Sequence, residues 1–203
     1  DENPFSFHSN RIADFFRNCS KSPVDSDRIR WNNAAVFNAG TSMQIVCLDL
    51  EGVLIPEIWI KFAEKTGIDE LRATTRDIPD YDELMQQRLR ILDEHNLKLP
   101  AIQEVIAGLE PMPGARAFLD GLRENYQVII LSDTYYEFAK PMMEQLAWPT
   151  LFCHKLDVAD DGRVVNYVLR QKDPKRHSVK ALKQLNYTVF AAGDSYNDTT
   201  MLE

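Results

Sequence analysis

The chain has 203 residues, 44% of them apolar, which is enough for one ordinary domain with a real core, or one domain carrying an insertion. Its net charge of −8, with 23 basic against 31 acidic residues and no Lys/Arg tract, argues against a nucleic-acid partner. No apolar run reaches the ~18 residues a membrane span needs and no signal-peptide pattern opens the chain, so it reads as soluble and cytoplasmic.

Residues 1–42 are rich in Asn, Ser and Arg with little periodicity, and are expected to be a poorly ordered N-terminal extension. The alternative for them is a docking arm built on Ile12, Phe15 and Phe16, which share one helical face. Met43 stands directly before the first strong strand pattern, Ile45-Val46-Cys47-Leu48, and is read as the natural start. That strand runs into Asp49-Leu50-Glu51-Gly52. Pro56 then opens a helix that Gly67 closes. Residues 68–110 read as mostly helical, strongest around Leu84, Arg88, Leu89, Ile91 and Leu92. Pro113-Gly114 starts a helix leading to a second strand, which ends at Ser132-Asp133-Thr134. Residues 135–147 are amphipathic, and residues 151–169 alternate around Asp160-Asp161-Gly162, a hairpin turn. Asp173-Pro174 reads as a helix start with Asp as N-cap and Pro at the first helical position. A third strand, Val189–Ala192, runs into Gly193-Asp194-Ser195-Tyr196-Asn197-Asp198. The sequence stops inside the following helix, which is read as a C-terminal truncation.

Strands separated by helices predict an α/β fold with a Rossmann-like parallel-sheet core. The block between the first two strands is too long for a simple crossover, so residues 56–110 are expected to be a helical cap inserted into a core of 43–55 and 111–203. In such a sheet the C-terminal ends of the strands converge on one crevice. Three acidic patches distant in sequence would therefore meet, and their mutual repulsion calls for a hard cation such as Mg²⁺. Asp49 and Glu51 can divide the labour, one ionised on the metal and attacking phosphorus, the other carrying a proton. Ser132 and Asp133 offer a hydroxyl and free N–H groups to phosphate oxygens. Asp194 and Asp198 supply oxygen ligands or support behind them, and Asn197 a hydrogen bond to phosphate or substrate. Lys155, Lys172 and Lys175 are the candidates for a fixed positive charge. Lys175 sits in the first turn of a helix, where a cation is unfavourable unless it has a purpose. Taken singly, each of these is an ordinary loop acid, turn or surface lysine. A receiver-type phospho-acceptor module also groups acids, a hydroxyl and a lysine at strand ends, but lacks a cap. The eight glycines form neither GxGxxG nor a P-loop, which argues against a nucleotide-binding protein.

Asp49-Leu-Glu51-Gly-Val, Ser132-Asp-Thr, a lysine near 175 and Gly193-Asp194-Ser-Tyr-Asn-Asp198, in that order, resemble the haloacid dehalogenase superfamily over residues 43–203. The match looks closest to its phosphoserine phosphatase and phosphoserine–homoserine phosphotransferase branch. Residues 49–59, 74–82, 170–176 and 193–201 carry it. The resemblance implies that Asp49 is the nucleophile forming an aspartyl-phosphate. Glu51 would be the acid/base and lend its backbone carbonyl to Mg²⁺. Ser132, with Asp133 beside it, would bind the phosphoryl group, Lys175 would neutralise its charge, and Asp194 would ligate the metal with Asp198 in support. Asn197 would touch substrate, Glu57 would meet the substrate ammonium, and Arg88 its carboxylate. The implied substrate is L-phosphoserine, with water or homoserine as acceptor. Glu51 departs from the superfamily's usual second aspartate. Members of the superfamily continue with another strand and helix, so residues 43–203 alone are expected to have an exposed sheet edge and a lower denaturant midpoint than a longer chain.

Overall fold

The computed structural model describes residues 30–31, 43–195 and 198–202, the first two by their backbone alone. Apart from Arg30–Trp31, which form a short strand, the extension read as poorly ordered lies outside the described residues, as do the docking arm on Ile12, Phe15 and Phe16 and Asn197.

One mixed sheet organises the chain, in the order β1-β6-β2-β3-β4-β5. β2 (Gln44–Leu48), β3 (Gln127–Tyr135), β4 (Thr150–Val158) and β6 (Thr188–Gly193) run parallel. β5 (Val164–Val168) returns from β4 as an antiparallel hairpin around Gly162. β1 (Arg30–Trp31) pairs antiparallel with the end of β6, opposite Gly193 and Ala192. The α/β expectation is met, and its reason is visible in the central strand. β2 is buried along Ile45–Leu48, as a strand covered on both faces must be.

Between β2 and β3 come α1 (Ile58–Thr66), a 3₁₀ turn at Asp69–Arg72, α2 (Tyr81–Glu94), α3 (Leu99–Ala107) and α4 (Ala115–Arg123). α1 ends where Gly67, at φ 71°, donates its N–H to the Ala63 carbonyl. α5 (Tyr136–Gln145) follows β3, α6 (Pro174–Gln184) follows the hairpin, and the short α7 (Thr199–Leu202) follows β6. No helix among the described residues is long and apolar enough to cross a membrane.

Two local expectations are refined. β3 does not stop at Ser132 but runs on to Tyr135, with its register against β4 shifting between Leu131 and Tyr135. The irregularity turns Ser132 and Asp133 toward the crevice while keeping the chain in the sheet. Asp173 does occupy the N-cap position of α6, but in the left-handed region (φ 48°) and without a side-chain cap bond. Its carboxylate instead accepts the Thr200 hydroxyl at 2.9 Å, joining α6 to α7.

The helical segment is seated on the sheet by aromatic packing. Trp59 of α1 meets Phe138 of α5 edge-on, centroids 5.3 Å apart, and Phe138 meets Tyr135 at 5.9 Å. Phe138 is only 1% exposed. Truncating it removes the ring shared by α1 and β3, so Phe138→Ala is expected to cost about 3–5 kcal/mol. Urea unfolding monitored by tryptophan fluorescence checks this, and a loss under about 1 kcal/mol would mean that this aromatic seat is not what holds the two parts together.

Candidate active site

β2, β3 and β6 are neighbours, so their C-terminal ends deliver Asp49, Ser132-Asp133 and Asp194 to one place. Asp49 is fixed by its own N–H, which donates to Ala192 on β6 at 2.9 Å, and by its Oδ1, which accepts from Leu50 N at 2.7 Å. Lys175, from the first turn of α6, lies in the middle, 4% exposed. Its Nζ is 2.9 Å from Asp49 Oδ2, 2.7 Å from Asp198 Oδ1 and 3.6 Å from Asp133 Oδ2. Lys155 and Lys172 are exposed on the surface.

Burial works against the charge on Lys175, but the carboxylates of Asp49, Asp133 and Asp198 outweigh it and hold the ammonium protonated well above the usual lysine range. The opposite holds for Asp49. Burial pushes its carboxyl up to about 8, with the nearby Asp198 charge adding to the rise and Lys175 resisting it. Three carboxylates (Asp49, Asp133 and Asp198) surround one ammonium, and Asp194 lines the same cavity. Oxygens of Asp49, Asp194 and Asp198 lie within 4.8 Å of one another. An all-oxygen donor set with excess negative charge fits a hard divalent cation.

Asp198 does more than sit in that cluster. It is fully buried, and its second oxygen accepts from the Ser195 N–H at 3.0 Å and the Ser195 hydroxyl at 3.1 Å. With Lys175 on the other oxygen, Asp198 braces the lysine and the loop that carries Asp194. The close quarters require glycine twice. A Cβ on Gly193 would lie 2.2 Å from the Asp198 carboxyl carbon, and one on Gly52 (φ 78°) would lie 2.2 Å from Asp194 Oδ2.

Asp133 is drawn below its ordinary value. Burial would raise it, but His154 and Lys175 prevail. His154 is itself buried. Its Nδ1 accepts the Arg170 N–H at 3.1 Å, so Nε2 carries the proton and faces Asp133 Oδ1 at 3.6 Å. Glu51 lies across the crevice, its Oε2 accepting the Ile58 N–H at 2.9 Å. Burial raises its carboxyl to about 7, against that N–H.

The corner opens into a cavity of about 570 Å³ lined by Asp49, Glu51, Ser132, Asp133, Lys175 and Asp194 on the sheet side. Glu57, Trp59, Arg76, Tyr81 and Arg88 line its helical side. Arg88 is 7% exposed and its guanidinium carbon lies over Trp59, 4.4 Å from the ring centroid. One guanidinium arm donates to the Ala73 carbonyl at 2.8 Å, and Nε is buried with no hydrogen-bond partner. Burial raises the Glu57 carboxyl, with Asp194 adding to it. The structure thus brings together Asp49, Glu51, Glu57, Arg88, Ser132, Asp133, Lys175 and Asp194, with Asp198 directly behind. Sequence reasoning missed Trp59 as the platform for Arg88, His154 behind Asp133, and Tyr81 and Tyr135, whose hydroxyls meet at 2.6 Å. No spacing in the sequence links these pairs, since only the packing of α1, α2 and β4 brings them together.

Comparison with known proteins points the same way. The family model for haloacid dehalogenase-like hydrolases matches residues 43–203. The chain is 72% identical over 160 residues to a Pseudomonas aeruginosa protein named phosphoserine phosphatase ThrH, covering 79% of this chain and 78% of that protein. It is 68% identical over 161 residues to a phosphoserine phosphatase of Pseudomonas syringae pv. tomato, covering 79% and 68% of the two chains. In fold it is similar to a solved phospho-aspartyl intermediate analogue of phosphoserine phosphatase, with TM-score 0.60 and 16% identity over 79% of this chain and 82% of that one. A substrate-bound phosphoserine phosphatase complex matches at TM-score 0.59 and 15% identity, covering 80% and 82%. A receiver module is thereby set aside: the chain belongs to the haloacid dehalogenase-like hydrolase family.

Proposed function

We propose that this chain takes the phosphoryl group from L-phosphoserine onto Asp49 and passes it to water or to homoserine. The observation that carries this reading is the layout of one cavity. A carboxylate braced by a buried lysine lies at one end, and an arginine with an unpaired buried Nε lies on the wall that also bears Glu57. A phosphate ester of an amino acid has matching parts, an anionic phosphoryl group at one end and a carboxylate and an ammonium at the other. The relatives named phosphoserine phosphatase support the same substrate.

In this reading a carboxylate oxygen of Asp49 attacks phosphorus, and the bond between phosphorus and the serine oxygen breaks. The Glu51 carboxyl gives its proton to the departing oxygen, releasing serine. Glu51, now ionised, takes a proton from the acceptor hydroxyl as that oxygen attacks phosphorus. The bond to Asp49 then breaks and the carboxylate is restored. Ser132 and the Asp133 loop hold the phosphoryl oxygens, and Lys175 offsets their charge. Arg88 grips the substrate carboxylate, Glu57 takes its ammonium, and Asn197 touches the substrate. Asp49 and Asp194, with the Glu51 backbone carbonyl and Asp198 in support, would hold Mg²⁺, which when bound supplies charge neutralisation at the phosphoryl oxygens. With both described cysteines buried and unpaired, the reading includes a cytoplasmic setting in amino-acid biosynthesis.

The direct test is phosphate release from L-phosphoserine with Mg²⁺, with and without homoserine. Free phosphate is expected without homoserine, and phosphohomoserine at its expense when homoserine is present. Phosphate alone in both cases would restrict the acceptor to water, and neither product would overturn the substrate assignment. Asp49→Asn is expected to abolish turnover, because no acyl phosphate can form on an amide. Substantial residual rate in a stopped assay would move the nucleophile elsewhere. Glu51→Gln should leave KM within a few-fold and lower kcat at least ~10²-fold, and an unchanged kcat would assign the proton to another group.

A further inference from the structure

Glu51 makes a contact that proton transfer does not require. Its Oε2 accepts the main-chain N–H of Ile58, the first residue of α1. The residue at the cap position of that helix, Glu57, makes no side-chain cap bond. The opening N–H of the helix is therefore satisfied by a carboxylate seven residues back, at the end of the sheet's central strand. The link between the two is stiff. Gly52 N donates to the Ile55 carbonyl at 2.8 Å, and Leu54 N and Ile55 N both donate to the Leu50 carbonyl, at 2.8 and 3.1 Å. Glu51 and Ile55 also form an isolated bridge, and Leu50, Val53, Leu54 and Ile55 are buried. The Thr134 hydroxyl on β3 engages the same carboxylate from the sheet.

Side-chain length decides what can make this contact. An aspartate at 51 would be shorter by one carbon–carbon bond, about 1.5 Å. The 2.9 Å hydrogen bond would open toward about 4 Å, beyond hydrogen-bonding range. A carboxylate at a helix N-terminus is favoured both by the orphan N–H groups and by the helix dipole, so the contact is one the helix uses.

We propose that Glu51 is the seat of the helical cap as well as a proton carrier. Its longer side chain ties the end of β2 to the first N–H of α1, so that docking of this helix and presentation of the acid/base carboxylate are a single event. The proposal rests on the reading of Glu51 as the acid/base, and it explains why glutamate is useful at this position.

The test is backbone amide exchange, followed by NMR on the full chain without substrate. The Ile58 amide is expected to be protected in the wild type and in Glu51→Gln, whose side-chain carbonyl reaches equally far. In Glu51→Asp it should exchange at least ~10-fold faster while amides in the middle of α1, such as that of Phe62, keep their wild-type rates. Wild-type protection of Ile58 in Glu51→Asp would overturn the proposal, and so would equal loss in the Gln and Asp variants. If Glu51→Asp does not fold, Glu51→Met takes its place, filling the same space without an acceptor. Faster exchange at Ile58 then supports the proposal and retained protection sinks it. Because no substrate is present, a protein that is inactive on phosphoserine yet keeps this exchange pattern would condemn the activity reading and leave the seat standing.

Discussion

The buried ammonium of Lys175 is the interaction on which the rest depends. Removing an ion of this size from water costs several kcal/mol, and leaving it unpaired after losing one partner costs about 3–5 kcal/mol. Lys175 is tolerated at 4% exposure because β3 and the loops that follow β2 and β6 bring carboxylates to it from positions 133, 49 and 198. That convergence exists only while β3, β2 and β6 lie side by side in parallel. The lysine thus enforces the sheet order at the crevice, and the sheet order makes the lysine possible. The same balance leaves carboxylates in excess, so the corner retains an affinity for positive charge.

The helical side is held by different forces. Its exposed ion pairs, such as Lys98 with Asp161 and Arg163 with Asp93, are worth little individually. The effective ties are the Leu99 N–H to the Gly162 carbonyl at 2.8 Å and the rings of Trp59, Phe138, Tyr135, Tyr81 and Tyr167. Those rings run from α1 through α5 and β3 to the β4–β5 hairpin. The hairpin therefore holds the helical segment at Tyr81 and Leu99. Arg88 is buried within this arrangement, where its guanidinium lies over the Trp59 ring and the Ala73 carbonyl accepts from one of its arms. A planar cation can be buried this way because a ring and a carbonyl replace part of its hydration.

Much of the sheet corner was legible in the sequence because a parallel sheet converts three separate patterns of apolar run followed by acid into one place. Asp49, Glu51, Ser132, Asp133 and Asp194 needed only strand order. Lys175 was favoured by the oddity of a cation in a helix's first turn. The rest required tertiary packing. Arg88 and Trp59 are 29 positions apart on two helices, and His154 reaches Asp133 across the β3–β4 pairing. Asp173 shows how a local rule is overridden. Its composition suited an N-cap, but Thr200 offers its carboxylate a hydroxyl from the next helix, and the backbone turns left-handed. Ser132 was read as a strand end because a polar triplet interrupts an apolar run, whereas an irregular register lets β3 continue through it.

The chemistry proposed for Glu51 asks one group to give a proton and then take one back, which works best when neither form is strongly preferred. Burial favours the neutral carboxyl, and the Ile58 N–H together with the Thr134 hydroxyl favours the ionised one. Burial prevails and the hydrogen bonds limit the rise, leaving the group at about 7. Burial raises the Asp49 carboxyl as well, to about 8, but the Lys175 ammonium 2.9 Å away favours the ionised form that attacks in this reading. The division of labour therefore follows from surroundings. One carboxylate faces Lys175 and the cluster of acidic residues, and the other faces a helix end. A helix end stabilises charge more gently than an ammonium does, so it can hold the acid in place without fixing its proton.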